Sequence, residues 1–441
     1  MDRLYVLIFL SFISLPLFGQ KRAKQQKPQV LVYGHCVDAF SAAMQAAQSG
    51  VETLWVVDSS AIGGDVIMGG NKKVSANKQL DVGTWALFLT KLANAEELAD
   101  STAIAAKNNI PPRIAQNTLE AMSDTINRLQ LKKNSKIAKV QRSGKGWQVQ
   151  LDNGEKIKVL ALIDASVNSD LYQYVHSQER QNQQIKTTIP FDQQRQVDYS
   201  QTIYRTGVVV GNLANDVFTI PMASIFPDSI PNYFATRSLE GIYELLDDPV
   251  KAIPLLMLQA QACGAAAAYC AFFKTTTDKI NVRTLQGELL AFKSFIIPFQ
   301  DIPLQDPHCT AIQRVGATGI LQGVYTTSNG VNSFMFQPDS LVSSKEIEPI
   351  IEQLYTRSQI WFKGKDIPVL KLKDLLNLIK YVANRGDELD AEIEKGWSKR
   401  FKFDQSYDLG KELTRRELAV LIDTYLQPFN VRVTNTGVFQ Y

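Results

Sequence analysis

The chain has 441 residues, of which 45% are apolar and 21% charged, and a formal net charge of +3. That length can bury a large core and hold two or three domains, and the composition is that of an ordinary globular protein, for which disorder is not the default. With a single dense basic run, KRAKQQKP at residues 21–28, it also gives no support to nucleic-acid binding.

Residues 1–19, MDRLYVLIFLSFISLPLFG, place Arg3 before a strongly apolar run from Leu4 to Ile13 and a Pro-containing segment ending at Gly19. This is the tripartite pattern of a secretory signal, followed by a basic linker at 20–28, and it predicts export to the periplasm, cell envelope or exterior. Leu17 and Phe18 are poor cleavage-site residues, so an uncleaved anchor stays open as the alternative. No later segment has the roughly 18 to 20 continuous apolar residues of a membrane span.

Residues 29–58 read strand, helix, strand: VLVY, an Ala- and Gln-rich helix from Ala39 to Ser49 stopped by Gly50, then TLWVVD. The length suits a parallel βαβ crossover. A glycine-dense loop, IGGDVIMGG, leads into a polar, partly helical region up to about Ile110. PPRIAQNTLEAMSDTINRL begins with proline and carries apolar residues at three-to-four spacing, which predicts an amphipathic helix. Residues 136–164 alternate, turn at Gly144–Gly146 and at Asn153-Gly154, and finish in VLALID, a three-stranded meander returning to a core strand.

The Gln-rich residues 177–200 predict an exposed loop or small cap. Ala252–Phe273 is strongly apolar but interrupted by Gln259 and Gln261, so a closely packed core helix is expected. Cys263 and Cys270, seven apart on that helix, are about 10 Å apart by rise alone, too far for a disulfide. With three histidines and no Cys/His grouping, no metal site is expected. After Pro298 two similar phrases, beginning at Phe334 and Phe401, each pass from aromatics through a polar turn to a Ser/Thr helix start and an acidic helix, a weak internal repeat.

In this order the motifs resemble the secreted FAD-dependent oxidoreductases of the glutathione-reductase-like superfamily, from Val30 to about Leu290, with a shortened middle. The landmarks are the βαβ opening at Gly34, Asp58, Gly63-Gly64, the strand LIDAS, and QACGAAAA before INVRTLQGELL. The resemblance implies an α/β fold: a Rossmann-like FAD/NAD(P)-binding domain with a parallel sheet and β-meander at 29–298. Residues 299–441 resemble S-layer-homology modules through FQDIP, AIQRVGATGI, FQPD and Thr414-Arg415-Arg416-Glu417, implying a small helical domain. In that family such modules attach proteins to cell-wall polymers; as an appendage of an oxidoreductase the segment also has a plain packing role.

FAD binding of the implied kind places a pyrophosphate over the first helix N-terminus, where free N–H groups and the helix dipole stabilise the anion. The fingerprint asks for three glycines and finds Gly34, Cys36 and Ala39. Alanine is accepted at the third place, but the Cys36 side chain points into the diphosphate's space, so Cys36→Gly is expected to tighten FAD binding. The resemblance further implies that Asp58 holds the adenosine ribose, that Gly63 and Gly64 let the next loop approach the cofactor, and that Gly264 gives access to the flavin. Val167, Ser169 and Thr236 stand where the family carries glycines.

No catalytic acid, base or GxSxG nucleophile stands out. Arg237 reads as a surface or ion-pair residue, with a substrate anion or the flavin edge as its functional alternative. Two functions therefore remain: an FAD-dependent oxidoreductase of a small-molecule or sugar-derived substrate, or a non-catalytic cell-envelope protein that retains the flavoprotein fold.

Overall fold

The computed structural model describes residues 27–441 except 75, 76, 78, 96–104, 177–183, 192–195, 214, 215 and 329. The leader expected at 1–19 and most of the basic linker lie outside the described residues.

The predicted crossover is present as β1 (Val30–Tyr33), α1 (Val37–Gln48) and β2 (Thr53–Val56). Both strands are buried throughout, which is why they read as continuous apolar runs rather than alternating ones. Then come α2 (Gly64–Ile67), α3 (Gly83–Ala95) and α4 (Pro112–Asp124), the last with proline in its first turn. The region before Ile110 is less polar than its composition suggests, because Trp85, Phe88, Leu89 and Leu92 of α3 are fully buried. The helical pattern also overran α4: Leu129 belongs to β3 (Leu129–Lys132), which is drawn into strand geometry by parallel pairing with β2.

β4 (Ile137–Ser143), β5 (Gly146–Leu151) and β6 (Lys156–Val159) form the expected antiparallel meander, and β7 (Ala161–Asp164) returns to the core. A short α5 (Tyr172–Val175), the hairpin β8 (Gly207–Leu213) and β9 (Asp216–Pro221), and β10 (Tyr233–Ala235) complete the sheet region. The main sheet is parallel with order β10-β7-β1-β2-β3. The chain builds outward from β1 on one side and then returns to the other, so the order reverses beside β1, where open α/β sheets present a crevice.

The expected exposed loop at 177–200 needs correction where it is described. Ile185, Thr187, Phe191 and Val197 are buried, held by bridges from Ile185 to Leu239 and from Thr187 to Pro227. Residues 177–183 and 192–195 of that stretch lie outside the described residues.

α6 (Ile253–Phe272) is apolar on every side and buried along most of its length, so its membrane-like composition serves the core. It lies against α1: a Cβ at Gly264 would sit 2.4 Å from the Ala42 carbonyl oxygen. After α7 (Val282–Ala291) the chain is mainly helical, as expected: α8 (Cys309–Thr318), α9 (Ser344–Leu354), α10 (Ser358–Phe362), α11 (Leu372–Ala383), α12 (Glu388–Gly396) and α13 (Arg415–Tyr425). Two hairpins had no counterpart in the sequence reading, β11 (Val324–Ser328) with β12 (Val331–Met335) and β13 (Arg432–Val433) with β14 (Phe439–Gln440). The Gln313 amide holds Ile296 and Ile297 across the 298/299 boundary.

The two similar phrases do start helices alike. Ser343 and Thr414 each accept a 3.3 Å hydrogen bond from the backbone three residues on, and the Glu417 carboxylate accepts one from the Thr414 N–H. Arg415 ties the phrases together through the carbonyls of Phe336 and Gln322 and an ion pair with Glu346.

All four cysteines are free and buried. Burial raises every one of these thiols, Cys270 and Cys309 to about 12. Native protein near neutral pH is therefore expected to resist iodoacetamide while urea-unfolded protein is alkylated at all four sites, as read by intact mass. Rapid native labelling of Cys36 would show that its surroundings open.

Asp164, at the end of β7, is fully buried and accepts hydrogen bonds from Ser166, Leu171 N and the Tyr233 hydroxyl. Burial pushes its carboxyl up to about 6, against the pull of those bonds. Between about pH 4 and pH 6 the folded state then holds the extra proton, so this contribution is complete below the unfolded pKa and disappears as pH rises through 6. It amounts to about 3 kcal/mol. Relative to Asp164→Asn, wild type should lose urea stability between about pH 4 and pH 7, and parallel profiles would refute the assignment.

Candidate functional site

The site lies at the carboxyl end of β1, beside the strand-order reversal. Gly34, with φ of +142°, makes the turn between β1 and α1, and a Cβ there would sit 2.2 Å from the Ala165 carbonyl oxygen. Its carbonyl accepts the Trp55 indole N–H at 2.8 Å. Cys36 is the N-cap of α1 in extended conformation, and its side chain makes no capping bond. Ala39 is fully buried, in keeping with the packing role of the third fingerprint position.

The Gly63-Gly64 loop is fastened to this turn: both amides donate to the His35 carbonyl, at 2.6 and 3.1 Å. A Cβ at Gly64 would meet Cys36 Sγ at 2.8 Å and His35 Cδ2 at 2.9 Å. Gly64 thus permits close approach, but to the protein's own turn, while a Cβ at Gly63 would meet the Leu119 side chain of α4 at 2.4 Å.

The next residue closes the space. Asp65 Oδ2 accepts the Val37 N–H of the first turn of α1 at 3.3 Å. Arg237 holds Asp65 at 2.7 Å and 3.3 Å, and Asp38 with two bonds of 2.9 Å. The Thr236 hydroxyl donates to Asp38 at 2.6 Å. Asp38 is fully buried, and the side chains of Asp65 and Arg237 are 9% and 11% exposed. Burial alone would lower the Arg237 pKa, but the charges and hydrogen bonds of Asp38, and then the charge of Asp65, outweigh it and raise it. Burial first, then the two carboxylates, raise the Cys36 thiol.

A helix N-terminus attracts anions. Here the protein supplies its own, since Asp38 sits in the first turn and Asp65 takes a free N–H. Two carboxylates around one guanidinium leave a net negative charge where a diphosphate would bring more. The Cys36 sulfur and one oxygen each from Asp38 and Asp65 lie within 4.8 Å of one another. Entry of a dinucleotide at this position would have to displace Asp65 from Val37 and move Cys36 off Gly64. These residues, as placed, do not fit an FAD diphosphate.

The remaining proposed contacts are also engaged. Asp58 Oδ1 lies 3.0 Å from His35 Nδ1, both partly exposed. Gly264, expected beside a flavin, instead serves the close crossing of α6 over α1. Arg237 is an ion-pair residue, in a buried setting rather than on the surface. Asp38 and Asp65 were not singled out by sequence reasoning. The available signal was an acid at the fingerprint's fifth place and another directly after Gly64, both adjoining apolar stretches.

The parallel sheet, its reversal beside β1 and the inserted meander define a Rossmann-like α/β fold of the FAD-binding type. Residues 29–189 match the model of the family described as FAD dependent oxidoreductase. No curated protein matches the chain. Solved structures similar to it include the bacillithiol disulfide reductase Bdr (YpdA) from Staphylococcus aureus, at 13% identity over 32% of this chain and 38% of that one, with TM-score 0.24. Tetracycline destructase Tet(51) is 11% identical over 35% and 42% of the chains, with TM-score 0.25. The OTEMO complex with FAD and NADP is 17% identical over 31% and 25%, with TM-score 0.22. This chain therefore spans well under half the length of each.

Proposed function

We propose that this protein keeps the fold of the FAD-dependent oxidoreductase family without binding FAD at the family's place, and works as a non-catalytic binding scaffold of the cell envelope. The supporting observation is the Asp38–Arg237–Asp65 network at the N-terminus of α1. In this reading the apolar stretch Leu4–Ile13 directs export, and residues 299–441 attach the protein to a cell-wall polymer. Protein purified in full length should release no flavin on denaturation, and it should cosediment with purified cell-wall fragments. The family match of residues 29–189 favours a second reading, an FAD-dependent oxidoreductase of a small-molecule or sugar-derived substrate. Stoichiometric flavin in the denatured supernatant would establish that reading and remove the first.

A further inference from the structure

α6 is buried along most of its length but ends in two aromatic residues that are not: Phe272 is 65% exposed and Phe273 55%. Their rings meet edge to face at 5.1 Å, and Tyr269 packs on Phe273 at 4.6 Å. With Ala268 and Leu285 they wall a mainly apolar cavity of about 250 Å³. Single exposed apolar residues are ordinary, whereas a contiguous aromatic group bordering an apolar hollow marks a contact surface.

Its position identifies the partner. Phe272–Thr275 lies at the amino end of the parallel sheet, opposite the closed site. Asn232, just before β10, donates to the carbonyls of Thr275 and Lys145, and Lys145 Nζ reaches the Lys274 carbonyl at 3.3 Å. At the same end Gln29, just before β1, bonds Glu52 and Leu160. β10 and β1 flank β7, so these two entry points are two strand spacings, about 10 Å, apart. The described chain therefore enters the fold through Gln29 at this same end, and the sequence before it carries the apolar run Leu4–Ile13 and the bases Lys21, Arg22, Lys24 and Lys27. Lys27, Lys145, Lys274 and Lys279 are exposed at this end, against exposed Asp278 and half-buried Glu288.

We propose that this end of the molecule is a membrane-contact face: Phe272 and Phe273 enter the interfacial layer of an anionic bilayer while Lys145, Lys274 and Lys279 meet lipid headgroups. Aromatic side chains favour that layer, and lysine stems lie along apolar surface with their charge in water. The contact is peripheral, because α6 itself belongs to the core.

The test uses full-length protein and vesicles of phosphatidylcholine with or without phosphatidylglycerol. The five native tryptophans are buried, at most 7% exposed, so Phe273→Trp adds a reporter at the contact alone. Its emission should shift to the blue and be quenched by brominated lipid in the anionic vesicles. Partition should fall at least about tenfold in F272S/F273S. It should fall about fivefold for each lysine changed to glutamine, an effect lost in high salt. Vesicle binding without quenching at position 273 would show that the N-terminal run alone holds the protein, and overturns the proposal. A blue shift that follows protein concentration and ignores lipid would assign the face to a second copy of the chain, which overturns it equally.

Discussion

Arg237→Ala is expected to lower the unfolding free energy by about 3–5 kcal/mol, because it leaves two carboxylates in the interior without their cation. Asp38 is fully buried, and its remaining partner is the Thr236 hydroxyl. Asp65 would keep only neutral partners, the Val37 N–H and the Cys36 thiol. The penalty is the desolvation of unpaired charge, so a variant that removes charge and cation together should largely escape it. D38N/D65N/R237M is therefore expected to stay within about 2 kcal/mol of wild type, as replaced buried ion pairs often do. Arg237→Lys should fall between, since an ammonium cannot bond both carboxylates as a planar fork does. Urea unfolding with an unchanged slope separates these outcomes. A loss below about 1 kcal/mol in Arg237→Ala would place the network in a water-accessible setting, like a surface pair.

The second large effect is a gain of binding. Cys36→Gly alone, which the fingerprint recommends, removes the sulfur but leaves Asp65 on Val37 N–H, so FAD affinity should barely change. C36G/D65A clears the sulfur and the carboxylate, frees one N–H of α1, and keeps Arg237 neutralised by Asp38. Removing one anion from the helix N-terminus and admitting another is worth about 1–2 kcal/mol, so the double variant should bind FAD or ADP at least about tenfold more tightly than either single variant. Fluorescence anisotropy of FAD measures this directly. Equal affinities in all four proteins would mean that another barrier closes the site.

The opening βαβ unit, the meander and α6 were legible because each buries a local pattern: continuous apolar strands, alternation with Asn-Gly, and apolar residues on every helical face. The site was only half legible. The vacancy left by the fingerprint glycines could be read from Cys36, but what filled it could not, because Arg237 lies 199 residues from Asp38 and 172 from Asp65. An acid in a first helical turn is favourable in any helix, so Asp38 gave no warning of burial. Gly264 was legible as a close approach, whereas its neighbour, the Ala42 carbonyl rather than a flavin, depended on how α6 crosses α1. The hairpin of β11 and β12 escaped because its strands are short, β11 is polar and largely exposed, and β12 has no clean alternation of apolar and polar residues.

Equilibrium dialysis of wild-type protein against FAD tests the closed site most directly. Closure by Asp65 and Cys36 predicts equal FAD concentrations on both sides of the membrane and no flavin absorbance retained after gel filtration. Saturable uptake of one FAD per chain, retained through gel filtration, would contradict it.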